Sequence, residues 1–135
     1  MLGELDLPDG VMRRTITPLE QGDGWRVDDA FQSTDPSQSR ETEVLWQLAP
    51  LVRLDPINLT TFRLELGSMT FALELRGWHR VDHWSPQPGD TQPPAAHHLR
   101  GVCSPAFRQT QLAPFILLRG KAQRSDLLQT SLRRL

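Results

Sequence analysis

The sequence predicts an α+β domain built mainly on antiparallel β-sheet, with a partly open barrel as a variant. Three observations predict it. Residues 60–76 alternate apolar and polar side chains on either side of Gly67-Ser68, the pattern of two strands joined by a two-residue hairpin turn. Residues 37–48 follow a cluster of helix-start signals. Leu128, Leu132 and Leu135 fall at the i, i+4, i+7 spacing of an amphipathic helix over 126–134.

The chain is 135 residues long, which is the size of a single domain over 1–135. Its hydrophobic fraction of 38% and charged fraction of 23% suit a folded globular core and exclude collagenous or wholly disordered classes. No apolar run approaches the ~18 residues of a membrane span. Residues 1–10 carry Glu4, Asp6 and Asp9, the reverse of a basic secretory leader, so the expected location is cytoplasmic. A single cysteine, Cys103, excludes an internal disulfide framework.

The elements follow in order. Leu2, Leu5 and Leu7 precede Pro8-Asp9-Gly10, a turn signal. Residues 11–19 are rich in β-branched side chains and read as a strand. Gly22-Asp23-Gly24 marks a second turn, and Trp25 and Val27 alternate with Arg26 and Asp28, which makes a hairpin of the pair. Asp35 then offers a helix cap, Pro36 suits the first helical position, and Glu41 and Glu43 favour the start of a helix dipole. Val44, Leu45 and Leu48 would form its apolar side, and Pro50 would end it.

The 60–76 hairpin has a definite register. A two-residue turn pairs Leu66 with Met69, Leu64 with Phe71 and Phe62 with Leu73, all apolar and on one face. Gly77 breaks the alternation, as a bulge would, and 78–84 continues as a strand. Residues 85–96 contain Pro86, Pro88, Gly89, Pro93 and Pro94 and form a loop that is the best internal boundary. Residues 98–103 and 115–121 read as strands. The continuous apolar run 115–118 predicts a strand buried on both faces.

Charge divides along the chain. Residues 1–90 hold fifteen acids against eight bases, a net −7, and residues 91–135 hold one acid against seven bases, a net +6. The basic segment is nearly all arginine, a residue that grips carboxylate and phosphate in a bidentate way. Its charge predicts an acidic partner surface.

Few residues suggest chemistry. His79, His83, His97, His98 and Cys103 supply the only cluster of metal-ligand types. On a strand, however, His79 and His83 stand ~13 Å apart, too far to share an ion. Cys103 lacks a sequence signature of an activated thiol. No phosphate-binding glycine loop is present. Trp25, Phe62, Phe71, Trp78 and Trp84, with Arg76, Arg80, Arg100 and Arg108, could together stack and track a single-stranded nucleic acid.

The expectation is therefore a soluble, non-enzymatic interaction module, an adaptor, assembly factor or accessory subunit. It needs no cofactor, binds an acidic protein surface and has no membrane contact; a homo-oligomer is compatible with it. The expected contact residues are Trp84, Arg119, Lys121, Arg124, Arg133 and Arg134, with the proline-rich loop beside them, and Trp78 as a second aromatic anchor. The alternatives are a single-stranded nucleic-acid-binding β-domain and a His-ligated metal-dependent enzyme.

Overall fold

The computed structural model describes residues 1–35, 37, 40–94, 101–103, 110–122 and 127–135. Twelve strands run through them: β1 Leu2–Leu7, β2 Gly10–Pro18, β3 Gly24–Ser33, β4 Arg40–Gln47, β5 Arg53–Asn58, β6 Thr61–Leu66, β7 Met69–Arg76, β8 Arg80–Trp84, β9 Val102–Cys103, β10 Gln111–Leu112, β11 Phe115–Ala122 and β12 Leu128–Arg134. A seven-stranded sheet has the order β1-β2-β3-β12-β7-β6-β5, a three-stranded sheet the order β4-β11-β8, and β9 pairs with β10. Every pairing is antiparallel. The fold is all-β, an open sandwich of two sheets with no closed barrel. The expectation of an α+β domain is overturned: no helix occurs among the described residues.

Period-two alternation builds the core. Phe62 and Leu64 on β6, Leu73 and Leu75 on β7, and Leu54 on β5 face Val44 on β4 and Ile116 and Leu118 on β11. The 67–68 hairpin has the expected register, Leu66 to Met69, Leu64 to Phe71 and Phe62 to Leu73. The β2–β3 hairpin across the Gly22 turn is also present. β11 is the middle strand of its sheet, and Phe115, Ile116, Leu117 and Leu118 are all fully buried. Ile116 and Leu118 point at the seven-stranded sheet. Phe115 and Leu117 point the other way, where Trp84, Gly101, Ala113 and Pro114 surround the outer side of the strand.

Both expected helices are strands, for different reasons. At 37–48 the cap signal serves a turn: Asp35 Oδ1 accepts the Ser37 N–H at 3.0 Å and the Ser37 hydroxyl at 2.8 Å. That backbone bond, with the hydroxyl bond, lowers the Asp35 carboxyl from its ordinary pKa. From residue 40 the chain alternates, with Thr42 and Val44 buried and Glu41, Glu43 and Leu45 exposed, which no single helix face would give. At the C-terminus Leu128 and Leu132 differ by four positions, a spacing shared by one helix face and one strand face. Thr130 between them is buried too, so period two is the real pattern. Leu135, which completes the helical spacing, is exposed. β12 pairs with β3 and β7, partners far away in sequence, and this non-local pairing sets its conformation.

Gly77 makes a corner and not a bulge. β7 belongs to the seven-stranded sheet and β8 to the three-stranded one, and Gly77 turns between them at φ +84°. A Cβ there would lie 2.6 Å from the Leu127 carbonyl oxygen. Trp78 follows and donates from Nε1 to the Gln129 carbonyl at 3.1 Å, which ties the corner to β12. The expected strand at 98–103 lies largely outside the described residues; Val102–Cys103 is its described part.

Truncating β11 should be costly and truncating the exposed side of β4 cheap. Leu118→Ala is expected to lower unfolding free energy by about 2–5 kcal/mol in urea titration, and Leu45→Ala by about 0.5 kcal/mol or less. A helix over 37–48 would bury Leu45 and give both variants large losses.

Candidate functional site

The two sheets are unequal, and the site arises from that mismatch. The three-stranded sheet covers the middle and the β5 side of the larger sheet. β1 and β2 extend beyond it as a wing. Register places Gly3, Leu5 and Leu7 of β1 on the same face as Met12 and Arg14 of β2, the face that turns toward β4. Leu7 and Met12 pack on buried Phe31 and Leu128, but Leu5 is 61% exposed. Between this wing and β4 lies a groove of about 510 Å³, lined among others by Leu5, Met12, Arg14, Asp29, Glu41 and Val44. That volume is within the usual range for ligand clefts.

The polar end of the groove is rigid. Arg14 and Asp29 stand opposite each other in the β2–β3 ladder, and Arg14 Nε and Nη2 donate to Asp29 Oδ1 and Oδ2 at 2.6 and 2.9 Å. This bidentate fork fixes both partners. The Asp29 side chain is 4% exposed and Arg14 is 40% exposed. The hydrogen bond to Asp29 raises the Arg14 pKa above its ordinary value against the opposing effect of burial, and the Asp29 charge adds to the rise. The Arg14 guanidinium also lies 5.4 Å from the Trp46 ring centroid, a cation–π contact that braces β4 against the wing. Arg40 makes a similar contact with Phe31 at 5.6 Å and pairs with Asp9. Arg13 pairs with Glu4 at 2.7 Å. Each arginine of the groove therefore already has its carboxylate.

The residues singled out from sequence lie elsewhere. Trp84 is half-buried, its ring 6.0 Å from Phe115 and against Gly101 at φ +77°, where a Cβ would come within 2.7 Å of the indole. It holds the outer cover of β11 in place. Trp78 is anchored to β12. Arg119 and Lys121 project from the outer side of the three-stranded sheet, in step with Phe115 and Leu117, and Arg119 donates to Glu43 at 3.0 Å. Arg133 sits on the opposite outside, opposite Ala72 in the seven-stranded sheet, 3.8 Å from Glu74, and Arg134 follows at the end of β12. These bases are thus divided between two faces. Arg124 lies outside the described residues.

His79 and His83 do not converge. His79 Nε2 is 3.4 Å from Glu41 Oε1, while His83 stacks edge-on against Phe62 at 5.2 Å. Among the described residues, no three His, Cys, Asp or Glu side chains are placed to hold a metal ion. His97 and His98 lie outside the described residues. Cys103 is in β9, opposite Gln111. Of the five aromatic residues of the stacking surface, Phe62 is buried and Trp25 is 54% exposed. Phe71 and Trp78 pack against the core.

Sequence reasoning missed Arg14, Asp29 and Arg40. A signal was available for the first two: Arg14 interrupts the apolar parity of Met12 and Ile16, and Asp29 that of Val27 and Phe31. A charge inside an apolar alternation marks a buried pair. No protein-family model matches the chain, and no curated protein matches it.

Breaking the fork tests its structural weight. Arg14→Met keeps a side chain over Trp46 but leaves a buried carboxylate without its cation. The expected loss is about 2–3 kcal/mol, moderated by the solvent on the arginine side. It is read as a lower urea midpoint with an unchanged slope.

Proposed function

We propose that this chain is a non-catalytic interaction module that holds a protein partner in the groove between the β1–β2 wing and β4. The observation that carries the reading is the mismatch of seven strands against three, which among the described residues leaves the inward face of the wing without an opposing sheet. An exposed leucine on that face, Leu5, is where a partner gains most from burying apolar surface. The floor is preorganised by the Arg14–Asp29 fork and the two cation–π contacts, so little ordering cost accompanies binding. The reading keeps the adaptor or accessory role expected from the sequence and moves its contact surface from the basic C-terminal residues to the groove.

Site-specific photocrosslinking checks the location. A benzophenone side chain is introduced at Leu5, inside the groove, or at Arg76, an exposed position on the outer side of the seven-stranded sheet. Illumination in cell extract is expected to give a discrete protein adduct from position 5 and none from position 76. Equal labelling from both positions, or none from position 5, would remove the groove as the contact surface.

A further inference from the structure

Resting on that reading, we propose that the groove accepts an extended segment that alternates basic and apolar residues and pairs with β4 as a fourth strand of the smaller sheet. β4 is an edge strand, bonded to β11 on one side and to no described strand on the other. The parity of its backbone groups follows from one bond. Leu48 N–H donates to the Pro114 carbonyl at 3.0 Å, and the register carries this pairing on to Trp46, Val44 and Thr42. Antiparallel ladders alternate. Glu41 and Leu45 therefore aim their amide and carbonyl groups at the open side, into the groove. Both residues are exposed. Strand addition to such an edge is a common way to bind an extended peptide, with main-chain bonds giving affinity and side-chain pockets giving selectivity.

The surroundings define the segment. A strand added beside β4 would run over the wing at sheet-packing distance, about 10 Å between layers. Its inward side chains would meet Leu5, Leu7 and Met12, so they must be apolar. A Cβ built on Gly3 would meet no atom within 4 Å, which leaves room above that end of the wing. The outward side chains would flank Glu41. Arg13, Arg14 and Arg40 are matched by Glu4, Asp29 and Asp9; among the described ion pairs Glu41 has the His79 imidazole, 3.4 Å away, and Lys121 stands opposite it in the β11 register. The residues lining the groove still carry one more acid than base, Glu4, Asp29, Glu41 and Glu43 against Arg13, Arg14 and Arg40. A lysine or arginine opposite Glu41 makes a favourable cross-strand pair, and an acid there makes a repulsive one. Two of the other edges, β5 and β8, are less suited to addition. β5 carries Pro56 and a register shift beside it, and β8 has five residues.

Two capped ten-residue peptides test the proposal on the full chain by fluorescence anisotropy at low salt, one alternating lysine and valine and one alternating glutamate and valine. The lysine peptide is expected to bind at least about tenfold more tightly. Glu41→Lys should reverse that preference. N-methylation of alternate peptide residues on the edge that meets β4 should weaken binding by about tenfold or more, because it removes main-chain donors without altering the protein. Leu45→Pro should do the same from the protein side, since an edge strand tolerates proline where its N–H faces outward. Tight binding of the glutamate peptide, with the same sensitivity to N-methylation, would overturn the basic occupant and leave the groove reading standing. Binding indifferent to N-methylation would overturn strand addition. No binding by either peptide, with light scattering showing a dimer that Leu45→Pro dissociates, would assign the edge to a second copy of this chain and overturn the proposal.

Discussion

Four consecutive side chains, Phe115 to Leu118, are fully buried, and a strand can achieve this only if both of its faces are covered. The rest of the molecule follows from that demand. Ile116 and Leu118 are covered by Leu54, Phe62, Leu64, Leu73 and Leu75 of the larger sheet. Phe115 and Leu117 are covered from outside by chain that includes Gly101, Ala113 and Pro114, with Trp84 wedged beside Phe115. β4 and β8 flank β11 and complete its hydrogen bonds. The proline-containing stretch after β8 is the start of the chain's path to that outer cover; within it Pro93 is buried.

A three-stranded sheet centred on β11 is too narrow to cover a seven-stranded one. Among the described residues the uncovered part is the β1–β2 wing, and its inward face carries both what a sandwich interior should contain, Leu7 and Met12 on Phe31, and what it should not, the Arg14–Asp29 pair. A charged pair at that position is tolerable because the wing is the rim of the interior, where the arginine keeps partial contact with water while the carboxylate is buried. The pair also lets Arg14 brace Trp46, so the edge strand β4 is held at a fixed height over the wing. Groove and edge strand are thus two consequences of one inequality in sheet width.

Much of this was readable from the sequence where neighbours in the chain are neighbours in space. The 67–68 hairpin and its register, the hairpin around Gly22, and the doubly buried run at 115–118 all rest on local alternation and turn chemistry. The two helices were misread where a local signal has two meanings. Asp35 and Pro36 suit a helix start and a turn equally, and a four-residue leucine spacing suits either period. What decides both cases is pairing with β11, β3 and β7, which no local window contains. The groove was invisible for the same reason: it lies between β1 and β4, and its key residues look like ordinary surface charges until the strand parity is known. The basic residues near the C-terminus drew attention by their number, yet alternation and sheet membership send Arg119 and Arg133 to opposite outsides.

Residue-resolved amide hydrogen exchange on β4 tests the account most directly. A strand bonded to β11 alone must protect every second amide, so Thr42, Val44 and Trp46 should exchange slowly and Glu41 and Leu45 quickly. Uniform protection of these five amides would contradict it, because the strand would then be bonded on both sides or coiled, and the open edge on which the groove depends would not exist.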